Sequence, residues 1–290
     1  MPAIIRGSAE VSCAPLSMPE ASSAEGLAVA RWAERPARLA RMDRLCALGL
    51  VACDGALVDA RVSPGDATWR SERVGIVLGT AYGCHATNEA YYRGFLAHGV
   101  EGASPRLFAY TLPSSPVGEI TIHHRILGPA STTIGGQVAA LDALAEALRH
   151  LDAGRADRML VGAADVAGAM LTRLGGSGAR DGAAALLLER HGDGPQVVRV
   201  IRRFRDGDPA AAALDAALAL DAGEATLYAP GALLERLAAR LHPTAHHALD
   251  PTAQAAAPLL ALRLATTARR AAVVVAADAS GLAAAVSLAA

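Results

Sequence analysis

Two short, unbroken apolar runs constrain this chain most: Val74-Gly-Ile-Val-Leu-Gly79 and Arg158-Met-Leu-Val-Gly-Ala163, set among stretches with helical periodicity. A run this short, with no polar alternation, reads as a strand buried on both faces, the habit of parallel sheets covered by helices. The alternation extends along the whole chain. Residues Ala3 to Ser12 alternate like a strand, and a Ser/Pro/Ala-rich loop follows to about residue 25. Leu39, Met42, Cys46, Leu50, Cys53 and Leu57 fall three or four apart and predict a helix over about 36–59 with one buried face. Further helices are expected over about 87–98, 117–124 and 137–151, with Pro105, Pro113 and Pro116 breaking the chain between the first two. Gly175 to Gly178 reads as a mobile loop. A strand over 183–189 is expected to pair with one over 197–201. Beyond it, helices near 209–219, 231–241 and 252–266 alternate with strands at 226–228, 272–276 and 283–288. The expected fold class is therefore α/β, with parallel sheets between helices and two halves, 1–190 and 191–290, meeting near residue 190.

Composition narrows the function. The formal charge is -1, lysine is absent and the arginines are scattered, so no basic tract suggests a nucleic-acid partner. No long apolar run predicts a membrane span, and Arg6 comes too early for a signal peptide, so a cytoplasmic location is expected. Cys13, Cys46, Cys53 and Cys84 lack metal-ligand spacing and read as free thiols in a reducing compartment. Aromatic residues make up 3% of the chain, so Leu, Val, Ile and Ala must pack the core. No cofactor and no metal site is expected.

Candidate chemistry concentrates in the run Leu127-Gly-Pro-Ala-Ser-Thr-Thr-Ile-Gly-Gly-Gln137, a short strand and tight turn opening a helix rich in Ala and Leu. Other polar pairs have plainer readings. His246 and His247 beside Asp250 suggest an acid/base pair, but a solvated loop with Asp250 as N-cap and Pro251 at the first helical position explains the same letters. Cys84 and His85 suggest a thiol and its base, yet adjacent side chains usually point apart. His123 and His124 end a helix, where cationic side chains suit the dipole.

Several blocks, in order, resemble the β-ketoacyl synthase family. Arg41-Met-Asp-Arg44 resembles its entry motif, and Val74-Gly-Ile-Val-Leu-Gly-Thr80 its first long strand. Thr111-Leu-Pro-Ser-Ser-Pro-Val-Gly118 is similar to its Leu-Pro-Asn-x-Pro-x-Gly turn. Leu127-Gly-Pro129 resembles its nucleophile strand, and Asp181 to Glu189 the block closing its first half. The resemblance implies a thiolase-like fold: two related α/β halves in stacked helix and sheet layers, here with a shortened second half. It also implies that Gln137 replaces the nucleophilic cysteine, that Leu227-Tyr-Ala-Pro-Gly-Ala232 replaces a histidine-bearing segment, and that Pro251 replaces a second histidine. His246 would stand for the family's lysine, and Ala277-Asp-Ala-Ser-Gly281 for its glycine-rich turn. A glutamine amide has no ionisable group and forms no acyl intermediate.

Within that family the chain resembles chain-length factors, the glutamine-bearing partners of active ketosynthases in type II polyketide and aryl polyene systems. The implied partners are a catalytic ketosynthase, in a heterodimer, and transiently an acyl carrier protein. The former pocket would comprise Gly135, Gly136 and Gln137. The partner surface would comprise Thr111, Leu112, Pro113, Ser114, Ser115 and Pro116 together with Thr132, Thr133 and Ile134. Two alternatives remain: a glutamine-type decarboxylase of malonyl carrier protein, and a stand-alone structural homodimer.

Overall fold

The computed structural model describes residues 2–13, 42–173, 179–220 and 225–289. Among these residues ten strands form one continuous sheet in the order β3-β2-β4-β5-β1-β6-β10-β9-β7-β8. The first five are β1 (Ala3–Cys13), β2 (Val74–Thr80), β3 (Ala130–Ile134), β4 (Arg158–Asp165) and β5 (Asp181–Glu189). The second five are β6 (Gln196–Phe204), β7 (Thr226–Pro230), β8 (Ala245–Leu249), β9 (Ala272–Ala277) and β10 (Leu282–Ala289). Numbered within its own set, each five has the order 3-2-4-5-1, and the two sets join where Ala3 and Ile4 of β1 meet Val197 and Gln196 of β6. This internal repetition is the structural content of two related halves.

The helices fall into layers. Helix α1 (Arg44–Asp59), with α2 (His85–His98), α3 (Pro105–Phe108), α4 (Ser115–His124) and the short α6 (Ala169–Arg173), belongs to the first half, where α1 and α4 cover one face of the sheet. Helices α5 (Ala139–Asp152) and α9 (Ala257–Thr267) share a central apolar cluster with both sets of strands, including Leu141, Leu144, Val161, Leu186, Leu259, Leu262, Val274 and Val286. Helices α7 (Pro209–Leu218) and α8 (Gly231–Leu241) close the far side over Leu227, Val273 and Val275. The result is the stacked, thiolase-like α/β architecture that the resemblance implies. Small side chains make the stacking possible. In α7, Ala212, Ala213, Ala216 and Ala217 are each 0% exposed, so the helix lies close on the sheet with no aromatic filler.

Four expectations need correction. The sheet is mixed: β2 pairs in parallel with β3 and β4, and β7 with β8 and β9, but β5, β1, β6 and β10 run antiparallel to their neighbours. β10 returns beside β9 through the tight turn at Asp278–Gly281, which leaves no room for a crossover helix. The strand at 196–204 pairs with β1 and β10, not with β5. Residues 245–249, read as a loop, form β8, because β7 offers them a parallel edge from Thr226 to Pro230. Helix α1 begins at Arg44 and is buried almost all round, from Leu45 through Cys53, since both α4 and the sheet cover it. The expected loop at 175–178 and Leu39 lie outside the described residues.

Candidate functional site

Close backbone approaches build the turn that carries Gln137. A Cβ on Gly128 would lie 2.4 Å from the Val74 carbonyl oxygen, so the entry to β3 tolerates no side chain there. A Cβ on Gly79 would lie 2.5 Å from the Ala139 oxygen, so the end of β2 lies hard against the first turn of α5. The Thr133 hydroxyl donates to the same Ala139 carbonyl at 2.8 Å. Gly136 then takes φ +57°, in the left-handed region that favours glycine, and a short 3-10 turn over Gly136–Val138 leads into α5. Gln137 thus sits beyond the carboxyl ends of parallel strands, where open α/β sheets form their ligand crevices.

Gln137 lines a cavity of about 410 Å³ with Pro230, Gly231, Ala232, Asp250 and Pro251, the remaining walls being Ala248, Leu249, Ala276 and Ala277. Positions far apart in the sequence, singled out as replacements for a thiol and two imidazoles, therefore share one space. Among the described residues no thiol and no imidazole lines it. The one ionisable group lining it among the described residues, Asp250, forms an ion pair with Arg180 and stands directly before the 3-10 turn that opens at Pro251. Pro251–Ala256 is a 3-10 turn, and α9 starts only at Ala257. A second, larger space of about 630 Å³, lined by Tyr228, His247, Leu260 and Leu264, shares the Ala248–Asp250 wall.

The other candidate nucleophiles and bases lie outside the Gln137 cavity. Burial pushes the Cys84 thiol up to about 11, and its S–H donates to the Thr111 carbonyl at 2.7 Å, away from any base. Burial likewise pushes Cys53 up to about 12, holds Cys46 well above the ordinary range and keeps His85 below its usual value. His246 and His247 are successive residues of an edge strand. The first lies 3.8 Å from Glu235, and the second sets its ring 5.3 Å from that of Tyr228, so they are not an acid/base pair. His124 is not the cationic helix end expected: it is 2% exposed, and burial followed by repulsion from His123 brings it down to about 3.

A buried polar scaffold that sequence reasoning missed holds these parts in place. Asp165, at the end of β4, accepts from the Thr80 hydroxyl at 2.8 Å and from the backbone N–H groups of Ala81 at 2.9 Å, Tyr82 at 3.3 Å and Ala255 at 3.0 Å. One carboxylate thereby ties the end of β2 to the 3-10 turn that carries Pro251. Burial raises it to about 6. Asp43 caps α1 by accepting from Leu45 N–H and from the Thr87 hydroxyl, and Arg44 forms a buried ion pair with Asp181. The entry motif and the closing block of the first half thus meet. Asp165 gave no sequence signal, because an acid at a strand end is ordinary until its four donors are seen.

The expected partner surface divides in two. Leu112 and Ser114 are exposed and Pro116 is buried, while Pro113 packs on the Gly83 turn. Thr111 and Ser115 donate to the Phe108 and Ala109 carbonyls, which fixes the turn before α4. β3 is the outermost strand of its half, so one side of its backbone has no neighbour among the described residues. Ile134 is 57% exposed, and the buried hydroxyls of Ser131 and Thr132 lack partners there.

The family described as "Beta-ketoacyl synthase, N-terminal domain" matches residues 28–193, more than half of the chain. The chain is 27% identical over 122 residues to the 3-oxoacyl-[acyl-carrier-protein] synthase 2 of Staphylococcus aureus (strain N315), a match covering 42% of this chain and 29% of that protein. It is 30% identical over 138 residues to the tetracenomycin polyketide synthase ketoacyl synthase alpha subunit of Streptomyces glaucescens, covering 45% of this chain and 32% of that one. These matches span less than a third of each relative's length. Among solved structures, the ishigamide ketosynthase/chain length factor superposes with a TM-score of 0.78 at 25% identity, covering 99% of both chains.

Proposed function

Since this chain belongs to the β-ketoacyl synthase family, we propose that it is a non-catalytic, chain-length-factor-like partner of an active ketosynthase in type II polyketide or aryl polyene biosynthesis. In this reading residues 1–190 supply the contact strand and the pocket turn, and 191–290 form a shortened second half that helps wall the acyl tunnel. An acyl carrier protein docks transiently. The observation that carries the proposal is the Gln137 cavity: it lies beyond the carboxyl ends of parallel strands, and among the described residues no thiol and no imidazole lines it. Decarboxylative condensation needs a thiolate to carry the acyl group and donors to hold the developing oxyanion. Shape remains as the cavity's contribution. The likeness to a ketosynthase/chain length factor supports this reading, as does an uncharged edge strand with an exposed isoleucine.

Co-expression with a cysteine-bearing ketosynthase tests it. The expected result is a stable 1:1 complex that takes up acyl label on the ketosynthase alone, with Ile134→Asp weakening the complex at least 10-fold while leaving the isolated fold intact. Acyl label on this chain, or acetyl product from malonyl carrier protein with this chain alone, would overturn the proposal.

A further inference from the structure

A second cluster lies away from the Gln137 cavity, where α1 packs on the end of α4. Asp54 of α1 and the successive His123 and His124 of α4 each place one donor atom within 4.8 Å of the others. We propose that these three residues form a binding site for a borderline divalent cation of the zinc class, which clamps α1 to the C-terminal end of α4.

Two observations point to a ligand. The first is the donor set itself: two imidazoles and one carboxylate are the ligand types that zinc, cobalt and nickel ions share, with the remaining positions left to water. The second is His124, which is 2% exposed and whose Nε2 has no hydrogen-bond partner among the described residues. A buried polar atom left without a partner costs free energy, and an ion bound at this Nε2 would remove that cost. The two rings stand nearly perpendicular, at 88°, with centroids 4.8 Å apart, so neither stacks over the other's nitrogens. Bonds of about 2.0–2.2 Å to a tetrahedral ion hold donors roughly 3.3–3.5 Å apart, so the cluster must draw in by about an ångström. Asp54 and His123 are only partly buried, so side-chain rotation can supply that movement and solvent can deliver the ion.

The site also has a reason to be where it is. α4 follows the Thr111–Pro116 turn, and its last residue gives way to Arg125 at φ 53°, where the helix ends and the chain heads for β3. A cation there would hold the end of that helix against the most buried helix of the first half. No spacing motif announces it, since Asp54 lies on another helix.

The test uses the untagged full chain and cobalt(II) or zinc(II) alone as the probe. Cobalt should bind at one equivalent with the visible absorption of a nitrogen- and oxygen-ligated ion, and zinc should displace it and raise Tm. Asp54→Asn and His123→Gln alter the accessible donors, and each should weaken zinc at least 10-fold. His246→Gln/His247→Gln removes an exposed pair of successive histidines elsewhere, on β8, and should leave affinity unchanged. Zinc binding that survives Asp54→Asn and His123→Gln, or is lost in the His246/His247 variant, would overturn the assignment, as would no saturable binding by the native chain. The Gln137 cavity has no part in this readout, so the two proposals stand or fall separately.

Discussion

The two halves of this molecule share one strand order but solve the problem of holding it differently. The first half buries a polar scaffold of Asp43, Arg44, Thr80, Thr87, Asp165 and Asp181. In the second, Thr226 and Gln254 are the buried polar residues among those described, and neither is charged. There, alanine and valine pack closely on the strands, as in the run of buried alanines along α7. The difference teaches where positional demand lies. Buried charges and their hydrogen bonds are costly unless every group is satisfied, and they persist where they fix a geometry that apolar packing would leave loose. In this chain they converge on the ends of β2 and β4, beside the turn that carries Gln137. The same topology in the second half is held by small apolar contacts.

The most severe way to break this contrast is to remove one member of the buried pair. Asp181→Ala takes the carboxylate from the side of Arg44, which is 0% exposed, and strips the acceptor from Ala167 N–H, which donates to Asp181 at 2.7 Å. Loss of one partner of a buried pair costs about 3–5 kcal/mol, so the variant should unfold at much lower denaturant or fail to accumulate. The double replacement Arg44→Met/Asp181→Leu, which removes both charges, should recover a large part of that loss. Urea melts of the three chains decide the matter. Equal stability of the single and native proteins would mean that the pair does not anchor the first half.

A smaller effect separates the halves by pH. Burial raises Asp43 to about 6 from an ordinary value of 3.8. A raised carboxylate contributes stability that is fully present below its unfolded pKa and is lost as pH rises through the folded value, here between about 4 and 6. Asparagine suits this position without the charge. It is also a good N-cap, its carbonyl can accept from Leu45 N–H, and its amide can donate to the Thr87 hydroxyl, which can accept. Asp43→Asn should therefore gain on the native chain as pH goes from 4.5 to 7.5 (about 1 kcal/mol or more by the linkage relation), read as the change in the difference between their urea midpoints. A difference that stays flat across that range would show that Asp43 titrates as it does in the unfolded chain.

How much of this was legible beforehand follows from the range of the forces. Val74–Thr80 and Arg158–Asp165 declared themselves as buried strands because their burial is written in consecutive residues. The Gly128, Gly79 and Gly136 turn was legible because close backbone approach demands glycine. β8 was not: Ala245-His-His-Ala-Leu249 has no β-branched residue, and it is a strand only because β7 supplies a partner. The antiparallel middle of the sheet was hidden too, since the pairing of β1 with β5 spans residues far apart in the chain. Of the cavity, Gln137 and Pro251 were singled out from the sequence and line one space, while the Asp165 hub and the Asp54–His123–His124 cluster depend on tertiary neighbours that no spacing records.

The finest test of the contrast compares the turns that launch the two central helices. Gly136 precedes the start of α5 at Ala139 by the same interval as Gln254 precedes the start of α9 at Ala257, and both have positive φ. The first half meets that demand with glycine. The second places Gln254 at φ 51°, ψ -129°, where a Cβ is strained, with its Oε1 buried and unpartnered and its Nε2 donating weakly to the Arg180 carbonyl at 3.5 Å. Such a backbone costs on the order of 1–3 kcal/mol in a non-glycine residue, while glycine gives back part of the gain through the entropy of the unfolded chain and the side-chain packing it removes. Gln254→Gly should then raise stability by about 1 kcal/mol. Gln254→Ala removes the unpartnered amide but keeps the strain, so it should not gain. If alanine stabilises as much as glycine, the cost lies in the buried amide and not in the backbone, and the second half differs from the first by a polar misfit instead of by a turn left without its glycine.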